Sequence, residues 1–389
     1  MRFRHPDGST VHLAYGTNVH PAETVDGLVA QAERYGGPVR AALGTDVLGM
    51  GLWLPAAAAA DLASSPRRAE ELRRALRHQG IEVVTVNAFP YRGFHDPVVK
   101  KAVYRPDWTE QARLDYTLAC ARVLATLLPD DADHGSISTL PLGWRAPWYD
   151  DRDAVAARHL DRLDEELGKL AAEVGRPVRV GLEPEPGCVV ETSADAVRRL
   201  GGAEREHVGV CVDTCHLATQ FEDTGDALDR LERAGLEVVK AQASAALHAE
   251  RPDDPATRRA LAEYAEDRFL HQVRERAGDR VSSRDDLGEA LDGGRPLPAR
   301  RPWRIHFHVP VHARLAPPLS STTDHLVASL AALVGGPSPR TRHVEVETYT
   351  WGVLPPDRRP RDDHGLVAGL AGELAWVRDR LLELGLEAA

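Results

Sequence analysis

Short apolar runs alternate along the chain with longer stretches in which apolar residues recur every three to four positions. The short runs are rich in β-branched residues and are bounded by turn-forming residues, which is typical of buried strands. The longer stretches have the spacing of amphipathic helices, and such alternation indicates a parallel sheet with helical connections. The predicted strands lie in 11–18, 47–55, 81–90, 135–143, 177–187, 207–216, 236–244 and 342–351.

Eight strand–helix units in 389 residues predict one closed (β/α)8 TIM barrel, a single domain covering residues 1–389. A chain of this length can bury a core of that size. The alternative is an open, doubly wound sheet, which usually has fewer strands and often carries a G-x-G-x-x-G turn after its first strand. No such motif follows the strand predicted at 11–18, so the closed barrel is favoured.

One stretch departs from the regular spacing of the units. Gln242 and Glu347, at the ends of the seventh and eighth predicted strands, are 105 positions apart. We therefore predict an insertion over 245–302, on the face where TIM barrels carry their active sites. A helix is expected over 257–276, and a further strand over 303–312.

Side-chain alternation indicates which residues point into the barrel. In the run 208–213, three valines share one face of the strand and Asp213 lies on the other. The same alternation places Glu183 of the fifth strand and Glu347 of the eighth on inward faces. Gln242 is assigned to the same edge by its position alone, since the seventh strand is apolar on both faces.

Three converging carboxylates need a counter-charge, and a divalent cation is the usual one in a barrel mouth. Imidazoles are available nearby: His216 follows Asp213 by three residues, and His306 and His308 share one face of a strand. Carboxylate and imidazole ligands suit Zn²⁺, Mn²⁺ or similar ions. The competing interpretation is salt-bridge packing, for which Arg179 lies on the Glu183 face.

Charge and cysteine content narrow the class of protein. The net charge of −11 disfavours nucleic acid as a partner and leaves a small-molecule metabolite as the expected ligand. Four cysteines in 389 residues do not make a disulfide framework. The stretch MRFRHPDGST has no apolar signal-peptide core, and no run of about 18 apolar residues occurs, so a cytoplasmic protein is expected.

The motifs GLEPEPG with Glu183 and VDTCH with Asp213 and His216, together with a late Glu347, resemble the xylose isomerase-like barrel superfamily. The resemblance implies a metal held by Glu183, Asp213, Gln242 and Glu347. Most epimerases of the group have His where this chain has Gln242. Endonuclease IV-like members also have a two-ligand D-x-H motif between the last two strands, and His306-x-His308 lies where that motif would fall. The resemblance therefore implies one ion, with a second or third also possible.

Several longer segments are similar to the EboE family of bacterial proteins, which are labelled metabolite traffic proteins. The resemblance implies a small metabolite as ligand and partner proteins of the same pathway. It also directs attention to the loops over the barrel mouth, where Asn18, His20, Asn87, His95 and Trp351 are expected to contact a substrate. The segments are YGTNVHPAETVDGL (15–28), TVNAFPYRGFH (85–95), VKAQASAAL (239–247), RIHFHVPVH (304–312) and VEVETYTW (344–351).

Three functions agree with these residues. The first is a metal-dependent sugar or polyol isomerase or epimerase, in which Glu183 and Glu347 bind the metal, one of them is also the base, and His216 holds a substrate oxygen. The second is metal-assisted hydrolysis of a small phosphoester, with His306 and His308 on a second ion. The third is a non-catalytic metabolite-binding protein on the same barrel. The sequence leaves the oligomeric state and the substrate open.

Overall fold

A computed structural model describes all 389 residues. Its centre is a closed barrel of eight parallel strands, labelled β1 to β8, in which β8 pairs with both β7 and β1. The predicted (β/α)8 fold is therefore confirmed. The strands are β1 (Thr10–Gly16), β2 (Leu48–Trp53), β3 (Ile81–Ala88), β4 (Gly135–Thr139), β5 (Val178–Leu182), β6 (Val208–Asp213), β7 (Val238–Ala243) and β8 (His343–Val346).

Helices cover the outside of the barrel with their apolar faces. In the helix Pro66–His78, for example, Ala69, Leu72 and Leu76 are buried and recur at helical spacing. None of the helices combines the length and the apolar character that crossing a membrane requires. The covering α-helices are Val25–Gln31, Gly37–Leu43, Ala56–Ser64, Pro66–His78, Gln111–Leu127, Asp150–Val174, Ser193–Leu200, Thr214–Thr219, Thr224–Arg233, Thr323–Val334 and Asp363–Glu383.

After β7 the chain builds a second, antiparallel sheet of five strands before it returns to the barrel. Two short helices, Pro255–Ala262 and Leu287–Asp292, belong to this excursion. The sheet extends past residue 302, the predicted end of the insertion, because two of its strands, the third and the fifth in space, lie beyond that residue. In spatial order the strands are Arg280–Arg284, Val273–Ala277, Trp303–His308, Ala246–Ala249 and Leu319–Ser321.

The prediction of a helix over 257–276 was wrong for the second half of that range. The helix ends at Ala262, and Val273–Ala277 forms a hairpin with Arg280–Arg284 across the two-residue turn Gly278–Asp279. Gly278 has φ of +61°, which a hairpin turn of this kind requires. Alternating residues on both sides of a Gly-Asp pair indicate such a hairpin, and the helical interpretation overlooked that pattern.

A buried ion pair occupies the barrel interior below the mouth. Lys240 Nζ of β7 donates to Glu345 Oε2 of β8 over 2.8 Å, and both side chains are fully buried. The barrel has room for this carboxylate because residues 16 and 51 are glycines. A Cβ atom at Gly51 would lie 2.0 Å from Glu345 Oε2, and one at Gly16 would lie 2.7 Å from Glu345 Oε1.

Three histidines close the opposite end of the barrel. The rings of His134 and His343 stack with centroids 4.3 Å apart, and His12 meets the His343 ring edge-on at 5.4 Å. His343 Nδ1 lies 2.7 Å from the Ser136 hydroxyl oxygen. Burial lowers the pKa of His134 to about 3 and lowers the pKa of His343 well below its usual value. The stacked imidazoles of His134 and His343 are therefore neutral at neutral pH.

We expect Lys240→Met to lower the free energy of unfolding by about 3–5 kcal/mol, because it leaves the Glu345 carboxylate buried without its partner. Urea unfolding at pH 7 measures the change. The double variant Lys240→Met/Glu345→Gln is the control, and it should recover about half of the loss or more, since the unpaired charge is gone. A loss below about 1 kcal/mol for Lys240→Met would contradict this role of the pair.

The histidine cluster also predicts a pH dependence of stability. Because the pKa of His134 is lower in the folded protein than in the unfolded chain, where it is about 6.5, the unfolded chain takes up a proton first as the pH falls. Stability should therefore be complete above about pH 6.5 and decline toward pH 3. His134→Phe keeps the stacked ring and should reduce the slope between pH 6 and 4 by about 1 kcal/mol per pH unit, whereas exposed His78→Phe should not.

Candidate metal centre at the barrel mouth

Three buried carboxylates meet where β5, β6 and β8 end. Glu183 and Glu347 each follow the last residue of their strand, and Asp213 is the last residue of β6. The main-chain nitrogens of Glu183 and Glu347 still bond to neighbouring strands, which fixes both residues at the rim. One carboxylate oxygen from each of Glu183, Asp213 and Glu347 lies within 4.8 Å of the other two. We call these three residues the carboxylate group.

Glu347 and Asp213 are each held through one carboxylate oxygen. Glu347 Oε1 accepts from Asn18 Nδ2 at 2.8 Å and from Asn87 Nδ2 at 2.9 Å. Asp213 Oδ1 accepts from Ser244 Oγ at 2.8 Å and from a main-chain nitrogen at 2.9 Å. Asp213 Oδ2 and Glu183 Oε2 are buried and have no hydrogen-bond partner in the protein. Such oxygens are costly to bury unless a ligand satisfies them.

Gln242 adds a fourth oxygen donor at the same level of the barrel. Its Cα is the register partner of Asp213, and its side chain is fully buried. Neither the amide oxygen nor the amide nitrogen has a partner in the protein. An amide oxygen is a suitable ligand for a hard divalent cation, so Gln242 could complete the carboxylate group.

Three imidazoles form a second cluster, the imidazole group, beside the first. His216 Nε2 lies 3.1 Å from His306 Nε2, which lies 3.2 Å from His308 Nε2. Each Nδ1 faces an oxygen that can only accept: Pro184 O at 2.8 Å for His216, Gln272 Oε1 at 2.7 Å for His306 and Glu347 O at 2.7 Å for His308. The Nδ1 atoms therefore carry the hydrogens, and three Nε2 lone pairs converge, as they do on a metal ion.

Two residues of this region, Glu185 and Gln272, were not predicted from the sequence. Glu185 Oε2 lies 3.2 Å from His216 Nε2, and Glu185 Oε1 accepts from the Tyr104 hydroxyl at 2.9 Å. Gln272 was missed because its segment was interpreted as helix. Glu185 stands two positions after Glu183 in GLEPEPG, a repeat that could have pointed to it.

Burial determines the ionisation of the site. Desolvation is the main cause that raises the pKa values of Glu183 and Glu347 well above their usual range, and repulsion by neighbouring carboxylates is the second. Desolvation also raises the pKa of Glu185 to about 8 and lowers the pKa of His216 to about 4. The buried charged groups in and just below the mouth are unbalanced, since five carboxyl groups lie near a single buried ammonium. The carboxyl groups are Glu183, Glu185, Asp213, Glu345 and Glu347, and the ammonium is that of Lys240.

A pocket opens above both groups, with about 510 Å³ of empty space when its open mouth is included. Polar residues form its base and mainly apolar residues form its side. The pocket floor is Asn18, Asn87, Glu183, Glu185, His216, His306 and Glu347. The pocket wall is Phe89, Pro90, Phe94, Lys100, Val103, Tyr104, Phe269, Leu270 and Tyr349.

Three residues predicted to contact a substrate, His20, His95 and Trp351, do not line this pocket. His20 is buried beneath the first helix, where its ring stacks on Tyr35 with centroids 4.1 Å apart. His95 Nε2 bonds to the main-chain oxygen of Asn18 at 2.8 Å and so supports the floor from outside. Trp351 donates through Nε1 to Glu373 Oε2 at 2.9 Å and anchors its loop. Asn18 and Asn87 do line the pocket.

Residues 40–271, more than half of the chain, match the family described as xylose isomerase-like TIM barrel. The chain belongs to that family. No curated protein matches the sequence.

Solved structures agree in fold. D-allulose 3-epimerase from Methylomonas sp. has a TM-score of 0.51 at 11% identity, covering 95% of this chain and 98% of its own. A xylose isomerase-like TIM barrel protein from Mycobacterium smegmatis, in complex with magnesium, has a TM-score of 0.51 at 13% identity, covering 95% and 98%. L-ribulose 3-epimerase has a TM-score of 0.50 at 11% identity, covering 96% and 95%. At such identities the likeness establishes the fold alone.

Crowding of the carboxylates predicts that Glu183→Gln stabilises the metal-free protein. The substitution removes one of several mutually repelling groups, and we expect a gain of about 1 kcal/mol or more in EDTA. With added Mn²⁺ the wild type should become the more stable of the two proteins, because it gains more stability from binding the ion. Thermal unfolding with and without the metal measures both effects. Glu263→Gln, at an exposed position, is the control and should change neither value.

Proposed function

We propose that the chain is a metal-dependent isomerase or epimerase that acts on a small carbonyl-bearing metabolite. The observation that carries the proposal is the set of buried, unpartnered atoms at the mouth: Glu183 Oε2, Asp213 Oδ2 and the Gln242 amide. Together with Glu347 they form a donor set of oxygen atoms. Oxygen donors of this kind suit Mn²⁺ or Mg²⁺ better than they suit Zn²⁺, which usually has nitrogen or sulfur ligands.

The residues around this centre would divide the chemistry as follows. A bound divalent cation polarises a substrate carbonyl and so acidifies the adjacent C–H bond. Glu183 or Glu347 removes that proton, and the same or the other carboxylate returns one. Asn18 and Asn87 hold Glu347 Oε1, so the second oxygen of this pocket-lining residue is left to act on a ligand. Buried carboxylates are stronger bases than exposed ones, which suits this task.

The geometry of His216 suits both roles predicted for it, a contact to a substrate oxygen and a metal ligand. Because its Nδ1–H is bonded to Pro184 O, its Nε2 can only accept, either from a substrate hydroxyl or on a cation. We assign His216 to the imidazole group with His306 and His308, and Glu185 lies beside this group. The role in processing or traffic of a metabolite, which the resemblance to EboE proteins implies, is compatible with an enzyme of this kind and remains part of the proposal.

Two measurements test the proposal. Elemental analysis of protein purified without added metal should find at least one divalent ion per chain, and Glu183→Ala should lose it. Dihydroxyacetone in D₂O serves as the probe, because its C–H bonds lie beside a carbonyl. We expect metal-dependent incorporation of deuterium that Glu183→Ala abolishes and Trp351→Phe retains. A folded protein that holds no metal and exchanges no deuterium would leave only the non-catalytic binding function.

The imidazole group supports a second candidate, metal-assisted phosphoester hydrolysis at two adjacent ions. Asp213 Oδ2 lies 4.0 Å from His308 Nε2, so Asp213 stands between the two groups. The pocket gives this candidate less support, because it contains no arginine and its one lysine, Lys100, is paired with Asp286 at 2.6 Å. Zinc-dependent hydrolysis of p-nitrophenyl phosphate without deuterium exchange would favour it.

We predict that Gln272→Leu weakens zinc binding about 10–100-fold, because His306 loses the acceptor that fixes its ring. A competition titration with a chromogenic chelator measures the affinity. Binding of Mn²⁺ by the carboxylate group should be unchanged, which separates a local effect from unfolding. Gln111→Leu, at an exposed helix position, is the control. Equal zinc affinity in both variants would show that the imidazole group holds no ion.

A further inference from the structure

We propose that the ligand of this pocket is an amphiphile, with a polar end on the pocket floor and an apolar, ring-sized or branched body against the pocket wall. The inference rests on the proposed function for the polar end only, since that end would sit at the metal centre. It differs from a free sugar, which carries a hydroxyl on nearly every carbon. Residues of the pocket wall alone indicate the apolar body.

Aromatic rings dominate the pocket wall and contact one another. The ring centroids of Phe94 and Phe269 are 5.0 Å apart, and Tyr349 lies 5.3 Å from Phe94 and 5.0 Å from Phe269. The three rings come from the loop after β3, the insertion and the turn after β8. Separate segments of the chain thus converge to form one apolar surface above the polar floor, which favours an apolar partner.

Main-chain hydrogen bonds hold this wall in place. The nitrogens of Val99 and Lys100 donate to the main-chain oxygen of Arg268 at 2.7 and 2.8 Å. The loop after β3 is therefore tied to the residue that precedes Phe269. A wall fixed in this way does not have to be ordered by the ligand, and its apolar surface is available for binding from the start.

Polar groups of the wall are largely committed to other protein groups. Lys100 Nζ is paired with Asp286 at 2.6 Å, and the Tyr104 hydroxyl donates to Glu185. Phe89, Phe94, Val103, Phe269 and Leu270 offer no hydrogen bond. Hydroxyl groups of a sugar placed against these residues would lose water without gaining a partner, which weakens binding. An apolar body gains from the same burial.

Three hydroxamic acids test the inference, because they share a metal-binding end and differ in the body. Benzohydroxamic acid carries a ring, acetohydroxamic acid a methyl group, and D-gluconohydroxamic acid a polyol chain. Isothermal titration of the Mn²⁺-loaded full chain gives the three affinities. We expect benzohydroxamic acid to bind about tenfold or more tightly than acetohydroxamic acid, through burial of the ring. D-gluconohydroxamic acid should bind no more tightly than acetohydroxamic acid.

A wall variant localises the effect. Phe269→Ala should reduce the advantage of benzohydroxamic acid to about threefold or less and leave the affinity for acetohydroxamic acid unchanged. The exposed aromatic Tyr149 provides the matched control, and Tyr149→Ala should keep the full advantage. The ranking in the wild type is decisive even if Phe269→Ala does not fold.

The outcomes separate this inference from the proposed function. If D-gluconohydroxamic acid binds most tightly, the amphiphile is wrong and the metal centre stands. If all three bind equally, the wall does not contact the ligand and the inference is again wrong. If none binds to protein treated with Mn²⁺, the metal centre itself is absent, and both the proposed function and this inference are overturned.

Discussion

Repulsion between buried carboxylates is the constraint on which the rest of the mouth depends. Five buried carboxyl groups and one buried ammonium lie in and just below the floor of the pocket. Charges of one sign cannot stay ionised there without partners. The surroundings supply them in part: two asparagine amides hold Glu347, a serine hydroxyl holds Asp213, and Lys240 holds Glu345. The remaining negative charge is what makes cation binding favourable at this place.

The insertion completes what the barrel begins. The strand ends of the barrel and the helix after β6 supply the carboxylate group and His216, but two of the three converging imidazoles come from the inserted strand Trp303–His308. Gln272, which orients His306, belongs to the same excursion. Barrel and insertion therefore share one centre, and neither has the whole set of donors. This arrangement makes the imidazole group sensitive to how the insertion is seated on the barrel.

Much of the fold and part of the site follow from the sequence because of simple periodicities. Alternation in a strand has a period of two, and parallel strands end at one edge, so Glu183, Asp213 and Glu347 could be expected to meet. Beyond the strand ends that rule fails. His20 lies just after a short 3₁₀ turn that directs its ring under the helix layer, and Glu185 reaches the site through a loop path that no periodicity describes. Lys240 was hidden for another reason, since its neighbours make the whole strand look apolar.

The glycines at 16 and 51 link positions that are far apart in the chain. The Glu345 carboxylate fills the space where a side chain at 51 would have to go, and Lys240 compensates its charge. Any larger residue at 51 therefore requires a smaller one at 345, and the loss of the carboxylate would in turn leave Lys240 buried and unpaired. A change at 51 therefore requires changes at 345 and 240 as well. A mutant library that varies Gly51 alone should return glycine, whereas one that varies all three positions together can repack the barrel interior with apolar side chains.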